Sequence, residues 1–196
     1  MTLPTAQNRP DGASRRADPV ADNVFVVVSG LPASGKSTLS HRLADRLGWP
    51  VIDKDAILET LFDSLGVGDH AWRNRLSRAG DDILFTVAAR AGHAVLDNWW
   101  HHDTAPERLR QLDARLIEIF CDCDPALAAE RFLRRTRHPG HLDPRLTPGQ
   151  VAERVATIRA TYPGPLRLGG PLLTVDTSRP LDIPALVKDV RGLLGA

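Results

Sequence analysis

Residues 24–38 read Val24-Phe25-Val26-Val27-Val28-Ser29-Gly30-Leu31-Pro32-Ala33-Ser34-Gly35-Lys36-Ser37-Thr38, an apolar run followed at once by Gly-x-x-x-x-Gly-Lys-Ser. That spacing is the signature of a phosphate loop. Its small residues let the backbone curl until successive N–H groups point at phosphate oxygens. Lys36 adds a cation to that cradle, and Ser37 offers a hydroxyl as a Mg²⁺ ligand. The stretch Thr38 to Leu47 is helix-forming, which aims the positive end of a helix at the same anion. Gly30, Pro32, Ala33, Ser34, Gly35, Lys36, Ser37 and Thr38 are therefore the expected nucleotide-binding residues.

Outward from this loop, short β-rich apolar runs alternate with longer amphipathic ones. The pattern predicts strands over 24–29, 50–53, 93–97, 115–121 and 172–176, and helices over 36–47, 55–65, 70–91, 105–113, 125–136, 148–160 and 184–194. Helix starts are marked at Thr104 before Ala105-Pro106 and at Thr147-Pro148. Alternating strand and helix predicts an α/β fold in three layers, a parallel sheet with right-handed crossovers and helices on both faces. Ligands bind such a sheet beyond the carboxyl ends of its strands. Residues 1–22 mix Pro, Asp, Arg and Ala without periodicity and read as a disordered or loosely attached leader to a domain over 23–196.

The 196 residues, 42 % hydrophobic and 25 % charged, suit one domain with a substantial core. No apolar run approaches the roughly 18 residues of a spanning helix, and the first turns of sequence lack a secretory signal's apolar centre, so a cytoplasmic location is expected. A net charge of +1 gives no general drive toward nucleic acid. Cys121 and Cys123, two apart in an expected strand, are poorly placed to pair with each other and are read as reduced core residues. The chain has 22 Arg against only Lys36, Lys54 and Lys188. Two of those three lysines fall at strand ends.

The strand ends carry the remaining chemistry. The second strand delivers Asp53, Lys54 and Asp55; an aspartate there can orient and deprotonate an attacking hydroxyl, and Asp55 can alternatively cap the next helix. The third ends in Leu96-Asp97-Asn98, where Asp97 is placed to hold Mg²⁺. Asn98 in place of a carboxylate favours transfer to an acceptor over activation of water. Trp99 and Trp100 follow and could wall the acceptor pocket, with core filling as the alternative for each. After the fourth strand, Arg131, Arg134 and Arg135 share a helix face and could descend on a triphosphate, while a solvated face is the plainer reading for Arg137. The segment from His138 to Thr147, with its prolines, reads as a mobile cover within a lid over about 131–150. The fifth strand places Thr177 near the adenine end of a nucleotide, with Asp176 capping the turn and Asp182 starting the last helix.

Taken together, these motifs resemble the small P-loop kinases, and more closely the zeta-toxin-like or AAA-type ATP-binding single-domain proteins, alongside chloramphenicol phosphotransferase, gluconate kinase and polynucleotide kinase domains. The resemblance covers about residues 23–195. It implies a five-stranded sheet in the order 2-3-1-4-5, an Arg-bearing lid, ATP with Mg²⁺, and transfer of the γ-phosphoryl to a small-molecule hydroxyl. By position it makes Asp55 the acceptor-side base, Lys36 and Ser37 the phosphate and Mg²⁺ ligands, and Arg131 and Arg135 the lid cations. Where such kinases often carry an Arg a few residues past that Asp, this chain has Leu58-Glu59. Asp53, Asp55 and the two indoles favour a neutral or cationic polyol, sugar, aminocyclitol, antibiotic or nucleoside. A polynucleotide 5′-kinase or RNA-modifying enzyme, and an ATP-binding regulatory or toxin-like protein with a partner, are the alternatives. The chain lacks both a guanine-binding Asn-Lys-x-Asp and the sensor motifs of ring-forming motors.

Overall fold

The computed structural model describes residues 23–143 and 146–195; the expected leader, 1–22, lies outside them. Five parallel strands, β1 (Val24–Gly30), β2 (Val51–Asp53), β3 (His93–Asp97), β4 (Arg115–Asp122) and β5 (Leu172–Asp176), form one sheet in the order β2-β3-β1-β4-β5. The helices are α1 (Lys36–Leu47), α2 (Lys54–Leu65), α3 (His70–Ala91), α4 (Ala105–Arg110), α5 (Pro125–Arg134), α6 (Pro148–Thr161) and α7 (Ile183–Leu194). Among the described residues no helix is long and apolar enough to cross a membrane.

β1 is a continuous hydrophobic run because it lies at the centre of the sheet and is buried on both faces. Its side chains alternate. Phe25 and Val27 join Leu84, Ala94, Leu96 and Leu109 beneath α3 and α4. Val26 and Val28 join Leu39, Leu43, Ile117, Ile119, Val187 and Val190 beneath α1 and α7. Burying one such Val or Leu contributes about 1.5–3 kcal/mol, so the centre of the sheet is the most firmly held part of the molecule.

Parallel register aligns the strand ends that matter. Asp97 is level with Val28 of β1 and Asp53 of β2, and Gly30 is level with Cys121. Cys121 and Cys123 are buried free thiols, and burial pushes the Cys121 thiol up to about 12. The buried carboxylate of Glu118 ties the chain before β5 to the sheet. It accepts from Ser29 Oγ at 2.6 Å and from the amides of Leu166 and Arg167 at 2.7 and 2.9 Å.

The expected elements all form, with differences at their ends. The helix expected to reach residue 136 stops at Arg134, and Arg135 is already extended (ψ 140°). The helix expected over 105–113 ends at Arg110, short of Asp113, which has a positive φ of 47°. Thr147 and Gln150 form a full capping box at the start of α6, and Asp182 caps α7.

Candidate active site

The phosphate loop is shaped by three positive backbone angles, Gly30 (φ 140°), Ala33 (φ 62°) and Gly35 (φ 100°). A Cβ at Gly30 would stand 2.7 Å from the Cys121 carbonyl oxygen, so only glycine fits there. Gly35 starts α1 with no side-chain cap, leaving the first amides of the helix available to an anion. Lys36 is buried and donates to the carbonyls of Gly30 at 3.2 Å and Leu31 at 2.9 Å. Burial lowers its pKa, and Asp97 and other nearby charges only partly oppose this. Ser34 Oγ is buried without a hydrogen-bond partner.

Asp97, 3 % exposed, has its Oδ2 buried and unpartnered. Burial pushes its pKa up to about 6, against the opposing pull of a hydrogen bond from Ser37. A carboxylate so placed beside a phosphate-loop hydroxyl fits a hard divalent cation, which satisfies the oxygen and removes the penalty of ionising it. Among the described residues no cluster of three or more His, Cys, Asp or Glu could hold a metal. A Mg²⁺ held here would therefore complete its shell with nucleotide oxygens and water, as that ion generally does.

One cleft of about 810 Å³ joins the loop to α2 and α3. Its lining includes Pro32, Ala33, Gly35, Lys36, Ser37 and Thr38 of the loop, Arg131, Arg135 and Thr177, and Asp53, Lys54, Asp55, Asp97 and Trp99. Thr177 is fastened by its amide and hydroxyl to the Asp122 carbonyl, at 2.8 and 3.0 Å. Arg131 donates to the Thr177 carbonyl at 3.0 Å and so ties α5 to the end of β5.

Several expectations are corrected here. The cap of α2 is Asp53, which accepts from the amides of Asp55 and Ala56 at 2.8 and 3.2 Å, not Asp55. Its other oxygen lies 3.4 Å from the exposed His41, and Asp53 still lines the cleft. Trp100 is core: it is 4 % exposed, donates to the Val28 carbonyl at 2.8 Å and meets Phe85 edge-on. Trp99 stays in the cleft, 41 % exposed, its ring centroid 5.8 Å from the Lys36 ammonium. Arg134 leaves the arginine group, because it pairs with Glu130 one turn back and is largely solvated.

Arg137, read from the sequence as solvated, is instead central. Its guanidinium donates to Asp55 Oδ2 and lies 3.3 Å from both oxygens of Asp143. It is held there by a short docking segment. Asp55, Glu59 and Asp63 recur every fourth residue along α2 and meet Arg137, His141 (2.8 Å) and His138 (3.2 Å) respectively. Phe62 stacks on His138 and takes His141 edge-on, and a Cβ at Gly140 would come within 2.3 Å of the Phe62 ring. Burial lowers the His141 pKa more than Glu59 raises it. Arg135 stacks on Phe132, pairs with Asp143 at 3.6 Å and keeps its buried Nε unpartnered.

Sequence reasoning also missed the wall supplied by α3, where Arg73, Ser77 and Asp81 line the cleft at intervals of four. The signal was present as helical spacing, but nothing in the sequence said which helix faced the site. Lys54, buried, donates to Ser77 Oγ at 2.7 Å, and Asn98 donates to Asp81 Oδ1 at 2.9 Å.

Comparison with known proteins agrees with this geometry. A family model described as an AAA domain matches residues 25–157. A nucleotide-binding protein of Rhodospirillum rubrum is 30 % identical over 150 residues, 74 % of this chain; those residues span only 42 % of that relative's length. The crystal structure of a candidate kinase from Chloroflexus aurantiacus J-10-fl superposes with a TM-score of 0.77 at 34 % identity, covering 87 % of this chain and 98 % of that one. A shikimate kinase from Bacteroides thetaiotaomicron shares the fold, with a TM-score of 0.56 at 16 % identity over 88 % of this chain and 99 % of the other.

Proposed function

The chain belongs to the AAA-domain family and has the P-loop kinase fold, and from that premise we propose that it is an ATP-dependent phosphotransferase moving the γ-phosphoryl of ATP to a hydroxyl of a small molecule. The observation that carries this reading is the single cleft whose lining includes Lys36 and Ser37 at one end and Asp55 at the other.

In this reading the protein's work is positioning and charge stabilisation. The loop amides and the first turn of α1 hold the phosphates, and Lys36 turns from the Gly30 and Leu31 carbonyls to the transferring oxygens. Ser37 and Asp97 would hold Mg²⁺, which supplies neutralisation of the β- and γ-phosphate charge when bound. Arg137 fixes one oxygen of Asp55, leaving the other to accept the acceptor's hydroxyl proton late in the transfer, a contribution of about 10²–10⁴ in rate. Arg135, with Arg131 anchoring its helix, faces the charge that spreads over the transferring group. Asn98 is held by Asp81 and offers no base to water.

The test is ADP formation from ATP with and without a panel of hydroxylated small molecules and 5′-hydroxyl oligonucleotides, with Lys36→Ala and Asp55→Ala beside the parent chain. The expected result is ADP release that depends on a small-molecule acceptor and is lost in both variants. Equal hydrolysis without any acceptor, unaffected by Asp55→Ala, would overturn the reading, and turnover confined to the oligonucleotides would replace it with a polynucleotide kinase.

A further inference from the structure

Among the charged side chains that line the cleft around Lys54 and Asp55, Arg73 on α3 stands apart. Lys54 is set beside Asp81, Arg137 lies between Asp55 and Asp143, Asp53 caps α2, and Asp97 faces the phosphate loop. Arg73 has no such partner. Among the described residues no carboxylate lies within ion-pair distance of it, and its one side-chain bond is from Nη1 to its sequence neighbour Asn74 at 3.1 Å. Its Nε is buried and unbonded, and the residue lines the cleft. Four residues on, Ser77 accepts from Lys54, so its own hydroxyl hydrogen remains to be donated.

A buried guanidinium donor is costly to leave unmade and forks naturally onto paired oxygens. We propose that Arg73, with the Ser77 hydroxyl beside it, is an anion subsite for the phosphoryl acceptor, whose second functional group is a carboxylate or a phosphate ester. This rests on the phosphotransferase reading above. It departs from the neutral or cationic acceptor that the aspartates suggest from sequence: one oxygen of Asp53 caps α2 and one oxygen of Asp55 is held by Arg137, which leaves Arg73 as the less compensated charge on that side of the cleft. Lys54, close enough for Arg73 to depress its pKa, belongs to the same cationic corner.

The experiment follows the Arg73 Nε–Hε resonance by ¹⁵N–¹H NMR while the full chain is titrated with matched probes: glycerate and glycerol phosphate as the two anionic arms, glycerol as the neutral control. Nucleotide affinity and phosphoryl transfer are measured alongside. We expect a saturable shift with one anionic arm and none with glycerol. Arg73→Gln should weaken that anion by about tenfold or more, Arg73→Lys should recover part of the loss, and ATP affinity should stay within about twofold in both. The arm that binds identifies carboxylate or phosphate ester as the group recognised. The subsite is refuted if no anionic probe moves the resonance, if glycerol moves it equally, or if Arg73→Gln leaves anion affinity unchanged. Anion binding at Arg73 without transfer to any probe or panel acceptor would count against the phosphotransferase reading alone. Transfer exclusively to neutral acceptors would count against the subsite alone.

Discussion

One part of the cleft is an unbroken stretch from Pro32 to Thr38, which in the proposed reading holds the triphosphate; the rest is assembled from α2, α3, the loop after β3 and the segment after α5. The first is fixed by local backbone angles and by the buried centre of the sheet. The second is held by contacts between distant segments, among them the docking of Arg137, His138 and His141 on the acidic face of α2. If the proposed function holds, this division suits an enzyme that withholds transfer until the acceptor region is in order.

Mutations at the two ends should therefore fail differently. The largest effect is expected for Asp55→Asn, which keeps the shape but not the base: kcat for acceptor phosphorylation should fall by about 10²- to 10⁴-fold, with ATP affinity changed little, as read by rapid-quench kinetics and nucleotide titration. Lys36→Met should cost about 10²- to 10³-fold in kcat, and this time nucleotide affinity should fall as well. If both variants lost nucleotide binding equally, the division of the cleft into two parts would be wrong.

Gly140→Ala attacks the docking alone. Its Cβ would collide with the Phe62 ring, and overpacking of this kind costs about 1–3 kcal/mol, here borne mainly by the lid. Hydrogen exchange should rise through residues 137–141 while the amides of β1 and α1 stay protected. Loss of protection throughout the sheet would mean that the lid is not an independent unit.

The smallest effect, and the most specific to the phosphate end, is on pH. The folded-state pKa of Asp97, about 6, lies above its ordinary 3.8, so the unliganded fold pays for ionising this group as pH rises through that window. A cation relieves that penalty. The rise in melting temperature on adding Mg²⁺ with ADP should therefore be greater at about pH 7.5 than at about pH 5. Asp97→Asn should flatten the difference, which differential scanning calorimetry can check.

The sequence was most readable where one short segment does one job. The phosphate loop, the sheet and the strand ends carrying Asp55 and Asp97 follow from local spacing and from an apolar run that only a central strand explains. What could not be read depends on contacts across the chain. Arg137 differs from Arg134 in lying beyond the end of α5, where the chain turns toward α2, and Trp100 differs from Trp99 in reaching the Val28 carbonyl. The α3 wall had a legible period, Arg73-Ser77-Asp81, but its partner Lys54 is far away in sequence.

The central claim is that both ends of the cleft serve one transfer, and the most direct test is the fate of the γ-phosphoryl followed by ³¹P NMR with ATP, Mg²⁺ and a panel acceptor that supports turnover. The account predicts a phosphomonoester appearing in step with ADP, with Asp55→Asn abolishing the ester while ATP remains bound. Orthophosphate as the product at the same rate with or without acceptor, and in Asp55→Asn as in the parent, would contradict it.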